Sequence, residues 1–183
     1  AALDVENNIA TLLGATTATS TYALDSNGAV TQNGDLAITG AMTVVAGSGN
    51  NITLDQTGNT LTSIGITSGN NVVIDNDTNI SLNASTISGT LEVDLSAAGT
   101  ITDGGVFTVA GATTLDAGGV HVTNSGITLD AGHTFTGTVS IIRGGNVEIN
   151  DTGSTLGLGA VVTAATVGGD LTLTSGGAFV FDQ

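Results

Sequence analysis

Gly49-Asn50-Asn51-Ile52-Thr53-Leu54-Asp55 returns twenty residues later as Gly69-Asn70-Asn71-Val72-Val73-Ile74-Asp75, and this short beat decides the fold. Each copy opens on a Gly-Asn corner and runs into a strand in which aliphatic residues alternate with others, the period that puts one set of side chains on each face. Gly pairs punctuate the chain in the same manner at Gly104-Gly105, Gly118-Gly119, Gly144-Gly145 and Gly168-Gly169. Short alternating segments follow them, among them Val120-His121-Val122, Val147-Glu148-Ile149 and Leu171-Thr172-Leu173.

A longer period overlies the beat. Gly40-Ala41-Met42-Thr43 recurs as Gly111-Ala112-Thr113-Thr114, 71 residues on, and carries Leu36 onto Phe107 and Ile38 onto Val109. Ile52-Thr53-Leu54-Asp55 recurs as Ile127-Thr128-Leu129-Asp130, and Asn71-Val72-Val73-Ile74 as Asn146-Val147-Glu148-Ile149, both 75 residues on. The drift from 71 to 75 places a small insertion near residues 120–126. Leu13-Gly14-Ala15 maps onto Leu82-Asn83-Ala84 and Leu158-Gly159-Ala160, so residues 1–183 read as one continuous segment of about two long repeats and a partial third.

The predicted fold is therefore all-β: a parallel β-helix with about 20 residues per coil and a long repeat of 70 to 80 residues. At that beat the chain makes about nine coils, and at ~4.8 Å per coil a rod about 40 Å long. No helical stripe persists, and the segment 1–17 has the weakest pattern. The absence of Pro fits strands that are paired on both sides. Asn51, Asn71 and Asn146 stand at matching corners, where their side chains can bond turn backbone or the Asn of a neighbouring coil. Leu54, Val72, Ile74, Leu91, Val93, Val109, Leu129, Val147, Ile149, Leu171 and Leu173 are expected to share one core.

Composition narrows the function. Sixteen acids stand against one Arg and no Lys, a formal charge of −15. Phosphate backbones and anionic membranes are excluded as partners, since both require clustered cations. No apolar run approaches the ~20 residues that span a bilayer, so membrane insertion is not expected. Cys is absent, which removes disulfides, thiolate metal sites and thiol nucleophiles together. The chain begins at Ala1 with neither Met nor a signal peptide, as a processed protein or a fragment would.

Gly34-Asp35-Leu36-Ala37-Ile38, Gly137-Thr138-Val139-Ser140-Ile141, Gly145-Asn146-Val147-Glu148-Ile149 and Gly169-Asp170-Leu171-Thr172-Leu173-Thr174-Ser175-Gly176-Gly177-Ala178 resemble the repeat region of filamentous haemagglutinin-like giant bacterial surface adhesins. Those proteins are exported by two-partner secretion or autotransporter routes. The resemblance covers the chain from about residue 20 onward and implies a right-handed β-helical stalk, secretion to the bacterial cell surface, and adhesion, aggregation or coating.

Candidate chemistry is sparse. Asp75-Asn76-Asp77-Thr78-Asn79 begins like a calcium loop, with Asp75, Asp77 and Asn79 as the oxygen ligands, but Ile80 stands where the loop needs Gly and Thr86 where it needs Glu. His121 and His133 are the only imidazoles and have no third ligand at zinc spacing; His121 is expected to face solvent. No cofactor is implied. A lyase acting on acidic sugars needs more cations than Arg143, which is expected to be exposed and dispensable. A glycosidase cleft needs aromatics, and Phe107, Phe135, Phe179 and Phe181 fall at apolar repeat positions, where they are expected to pack in the core.

The expected role is an extracellular structural or adhesive module, with coils continued head to tail by further repeats or by another molecule, and with a cell-surface glycan or protein as receptor. A carbohydrate-binding or carbohydrate-processing β-helix is the alternative function. A string of small β-sandwiches is the alternative fold, against which stand the Gly-Asn beat and the lack of Trp and Pro.

Overall fold

The computed structural model describes residues 2–118, 125–161 and 167–181. Its strands are short, and only three of those described reach nine or ten residues. The first seven are β1 (Leu3–Asn7), β2 (Thr11–Leu13), β3 (Thr16–Ala18), β4 (Tyr22–Ser26), β5 (Val30–Gln32), β6 (Leu36–Val45) and β7 (Ile52–Leu54). Next come β8 (Thr60–Ser68), β9 (Val72–Asn76), β10 (Ile80–Leu82), β11 (Ser85–Ile87), β12 (Leu91–Leu95), β13 (Thr100–Asp103) and β14 (Phe107–Val109). The last are β15 (Thr113–Asp116), β16 (Gly126–Phe135), β17 (Thr138–Arg143), β18 (Asn146–Asp151), β19 (Leu156–Val161), β20 (Leu171–Ser175) and β21 (Phe179–Phe181).

Every pairing among them is parallel, as successive passes over the same face require. One sheet of nine strands runs β2-β5-β7-β9-β12-β15-β17-β19-β21, and the remaining twelve strands form the other. The longest strands turn a corner. Leu36 to Ile38 of β6 pair with β3, whereas Met42 to Val45 of the same strand pair with β4. Each coil thus has three straight runs, two of them in the larger sheet. The chain is an all-β parallel solenoid of about eight coils, about 21 residues each, with no helix among the described residues. Paired residues lie as little as 18 apart (Ser63 and Ser81) and as much as 27 apart (Asp116 and Arg143), and the longer coil spans residues 120–126, where the insertion is expected.

Alternation fixes which side chains enter the core. Val93 and Ile149 are buried while Glu92 and Glu148 between the inward residues stay out. Aliphatic columns from Leu13 to Leu158 merge into one core, joined by Phe107 and Phe135. Nine of the eleven expected core residues are buried; Leu173 is half-buried and Leu171 is exposed. Phe179 and Phe181, expected inside, are exposed too. They pair with Leu156 and Leu158, and among the described residues β21 has a neighbour on that side only.

The long sequence repeat does not return to the same face. Ile52 and Val72 lie in the nine-stranded sheet, but their counterparts Ile127 and Val147 lie in the twelve-stranded one. Thr43 and Thr114 move in the opposite sense. With about 21 residues per coil, 71 to 75 residues make about three coils and one further face. Identical sequence therefore serves all three faces in turn, since each face asks for the same inward aliphatics and the same corner turns.

Candidate functional site

Of the calcium candidates, Asp75, next to last in β9, and Asp77 are half-exposed, while the Asn79 side-chain oxygen accepts the Thr100 N–H of the next coil at 2.8 Å. Among the described residues no group of three or more His, Asp or Glu side chains is placed to hold a metal ion. His121 lies outside the described residues.

Asp75 belongs instead to a ladder of acids. Register places Asp75 beside Asp94 and Asp94 beside Asp116, at the strand spacing of ~4.8 Å. Burial, and then the charges of Asp94, Asp55 and Glu92, hold the Asp75 carboxyl above its ordinary range. Asp94 is raised likewise, by burial and Asp116, and Arg143 opposes the rise. Arg143, expected to be free of any role, forks onto Asp116: Nε donates to Oδ1 at 2.7 Å and Nη2 to Oδ2 at 2.7 Å. Its side chain remains 40% exposed and also stands 3.9 Å from Asp94. The one cation of the chain thus closes an unfavourable column of like charges.

Sequence reading missed a set of buried polar corner residues. Asn59 is fully buried and its Oδ1 accepts the Leu36 N–H of the preceding coil at 2.9 Å and the Gln32 Nε2 at 2.9 Å. Its own amide nitrogen donates to Gln32 Oε1 at 3.1 Å and to the Asp75 carbonyl at 3.0 Å. Asn76, also buried, accepts the Leu61 N–H at 2.7 Å. These side chains stand in for backbone partners at the turning strand, so that the Leu36 and Leu61 N–H groups are not orphaned.

The same clips recur in the second repeat with ionisable residues. His133 Nδ1 accepts the Phe107 N–H at 3.2 Å, Asp103 Oδ2 lies 2.7 Å from His133 Nε2, and Asp151 accepts the Phe135 N–H at 3.4 Å. Leu36 corresponds to Phe107 in the long repeat, and the clip residues correspond as well: Gln32 to Asp103, Asn59 to His133, Asn76 to Asp151. The signal in the sequence is therefore a polar residue recurring at an otherwise apolar corner.

At the surface, a shallow open groove is lined by hydroxyls from Thr39, Thr60, Thr62, Thr78, Ser81 and Thr102, with no aromatic or acidic side chain on its walls. Of the nine large exposed apolar residues described, seven lie toward the two ends, Leu3, Ile9 and Leu12 at one and Leu171, Phe179, Val180 and Phe181 at the other, while Val106 and Ile142 lie between.

No curated protein and no solved structure matches the chain. A family model described as repeats of unknown function matches it twice, over residues 1–68 and 69–142, a division that coincides with the long repeat seen in the sequence and in the stepping of faces. The chain belongs to this family, the DUF5649 repeats.

Proposed function

We propose that the chain is a rigid structural module, a section of an extracellular bacterial stalk or surface fibre, and not an enzyme. The observation that carries the reading is the unbroken stack itself: a single core and two continuous parallel sheets run through both family repeats. Stacked coils of this kind resist bending because each contacts its neighbours over all three faces. The resemblance to filamentous haemagglutinin-like adhesins supports secretion and a place at the cell surface.

End-to-end continuation is part of this reading, supported by the exposed apolar side chains toward the two ends and by β21, which among the described residues pairs on one side only. Further repeats or the first coil of another molecule would cover them, a heterologous contact that lengthens without closing. Sedimentation velocity and electron microscopy of the 183-residue chain across protein concentration test this. Rods longer than one chain, growing with concentration, are expected. Compact single particles at every concentration would contradict continuation by other molecules.

A further inference from the structure

The corner clips of the two repeats are built alike but differ in one respect that matters chemically. In the first, Gln32 and Asn59 are neutral amides that exchange two hydrogen bonds. In the second, the corresponding pair is Asp103 and His133, with His133 fully buried. We propose that the Asp103–His133 clip is an acid-sensitive joint in the rod, and that the Gln32–Asn59 clip is its pH-insensitive counterpart.

Geometry fixes the state of the imidazole. The Phe107 N–H donates to Nδ1, so Nδ1 is unprotonated and Nε2 carries the hydrogen that it donates to Asp103. Asp103 Oδ2 also accepts the Ala131 N–H at 2.8 Å, which secures the outward bulge at residues 130–132, where Gly132 takes a φ of 77°. Phe107 stacks on the imidazole with ring centroids 3.8 Å apart, and Phe135 lies at 5.9 Å, so water has no approach. A second proton on the ring would sit on Nδ1 and face the Phe107 N–H, donor against donor. That inter-coil hydrogen bond must then open, exposing the start of β14.

The charged groups around the ring are Asp103 on β13, Asp130 on β16 itself and Asp151 on β18; all three favour the imidazolium. Burial opposes them and prevails, placing the titration below the ordinary value of 6.5. The unfolded chain takes up a proton near 6.5 while the folded chain resists it. Stability from this clip is therefore complete above that pH and declines as pH falls below it. No such term arises at Gln32 and Asn59, which carry no titrating proton.

The two clips allow an internal control in one molecule. Amide hydrogen exchange is followed at Phe107 and at Leu36 in the full chain between pH 7.5 and 5, as protection factors. The protection of Phe107 is expected to be lost progressively, relative to that of Leu36, as the pH falls below the ordinary histidine range. The His133 ring nitrogens should report the Nε2–H tautomer at neutral pH. In the Asp103→Gln/His133→Asn variant, which transplants the first repeat's pair, the Phe107 to Leu36 ratio should become independent of pH. A constant ratio in the natural chain, an Nδ1–H tautomer, or an undiminished pH response in the variant would each overturn the proposal. The comparison within the natural chain decides even if the variant does not fold.

Discussion

Arg143 shows what a single residue contributes beyond its pattern. As the one cation among sixteen acids it looked like a solvated accident, and the sequence holds no signal of its partner, because Asp116 lies 27 residues away and meets it only through the stacking of coils. Register brings Asp94, Asp116 and Arg143 into one column, where the guanidinium offsets carboxylates that are otherwise pushed together. Arg143→Ala is expected to lower stability by about 1 kcal/mol, the discount for its solvent exposure being already included. The loss should shrink in high salt, which screens the exposed acids left behind. Unchanged thermal unfolding at low salt would show the fork to be idle. The buried clips were equally hidden at this scale: Asn59 and His133 look like ordinary turn residues until the coil above is known to send them an N–H.

At the scale of strands and corners the sequence was far more legible. Inward residues such as Val72, Val93 and Val147 announce themselves by alternation, and the Gly-Asn corners by repetition. Asn51, Asn71 and Asn146 do bond the next coil, through Asn71 N–H, Thr90 N–H and Asp170 N–H respectively. The segment 1–17, weak in pattern, forms β1, β2 and β3's first residues all the same, because stacking on the next coil supplies the order that its own alternation lacks. What alternation could not reveal is the step of one face per long repeat, since all three faces carry the same inward chemistry. Corners also set a steric limit. A Cβ on Gly34 would lie 2.5 Å from the Ala15 backbone nitrogen of the coil below, a contact that only a shift of the backbone can relieve. Gly34→Ala is expected to cost about 1–3 kcal/mol, as overpacking does elsewhere. By contrast Gly49→Ala meets open space and should leave the unfolding midpoint nearly unchanged. Equal effects at the two positions would refute the close coil-to-coil approach at this corner.

The whole molecule is a rod whose length is set by coil count, about eight coils at ~4.8 Å. Its ends expose Phe181 and Leu3 where the neighbouring coils bury their equivalents Leu158 and Tyr22, a difference no residue-level pattern can express because it depends on what is stacked beyond. Rigid stacking in register distinguishes this account from a string of independent β-sandwiches, in which residues of different repeats would be far apart and free to move. Thr31 and Thr114 test it most directly. Both face outward on the nine-stranded sheet and lie four coils apart, Thr31 on β5 in the first family repeat and Thr114 on β15 in the second. Spin labels at these two positions, read by pulsed dipolar spectroscopy, should give one narrow distance distribution centred near four coil spacings, about 19 Å between backbones. A broad distribution, or a separation of about twice that or more, would contradict the solenoid.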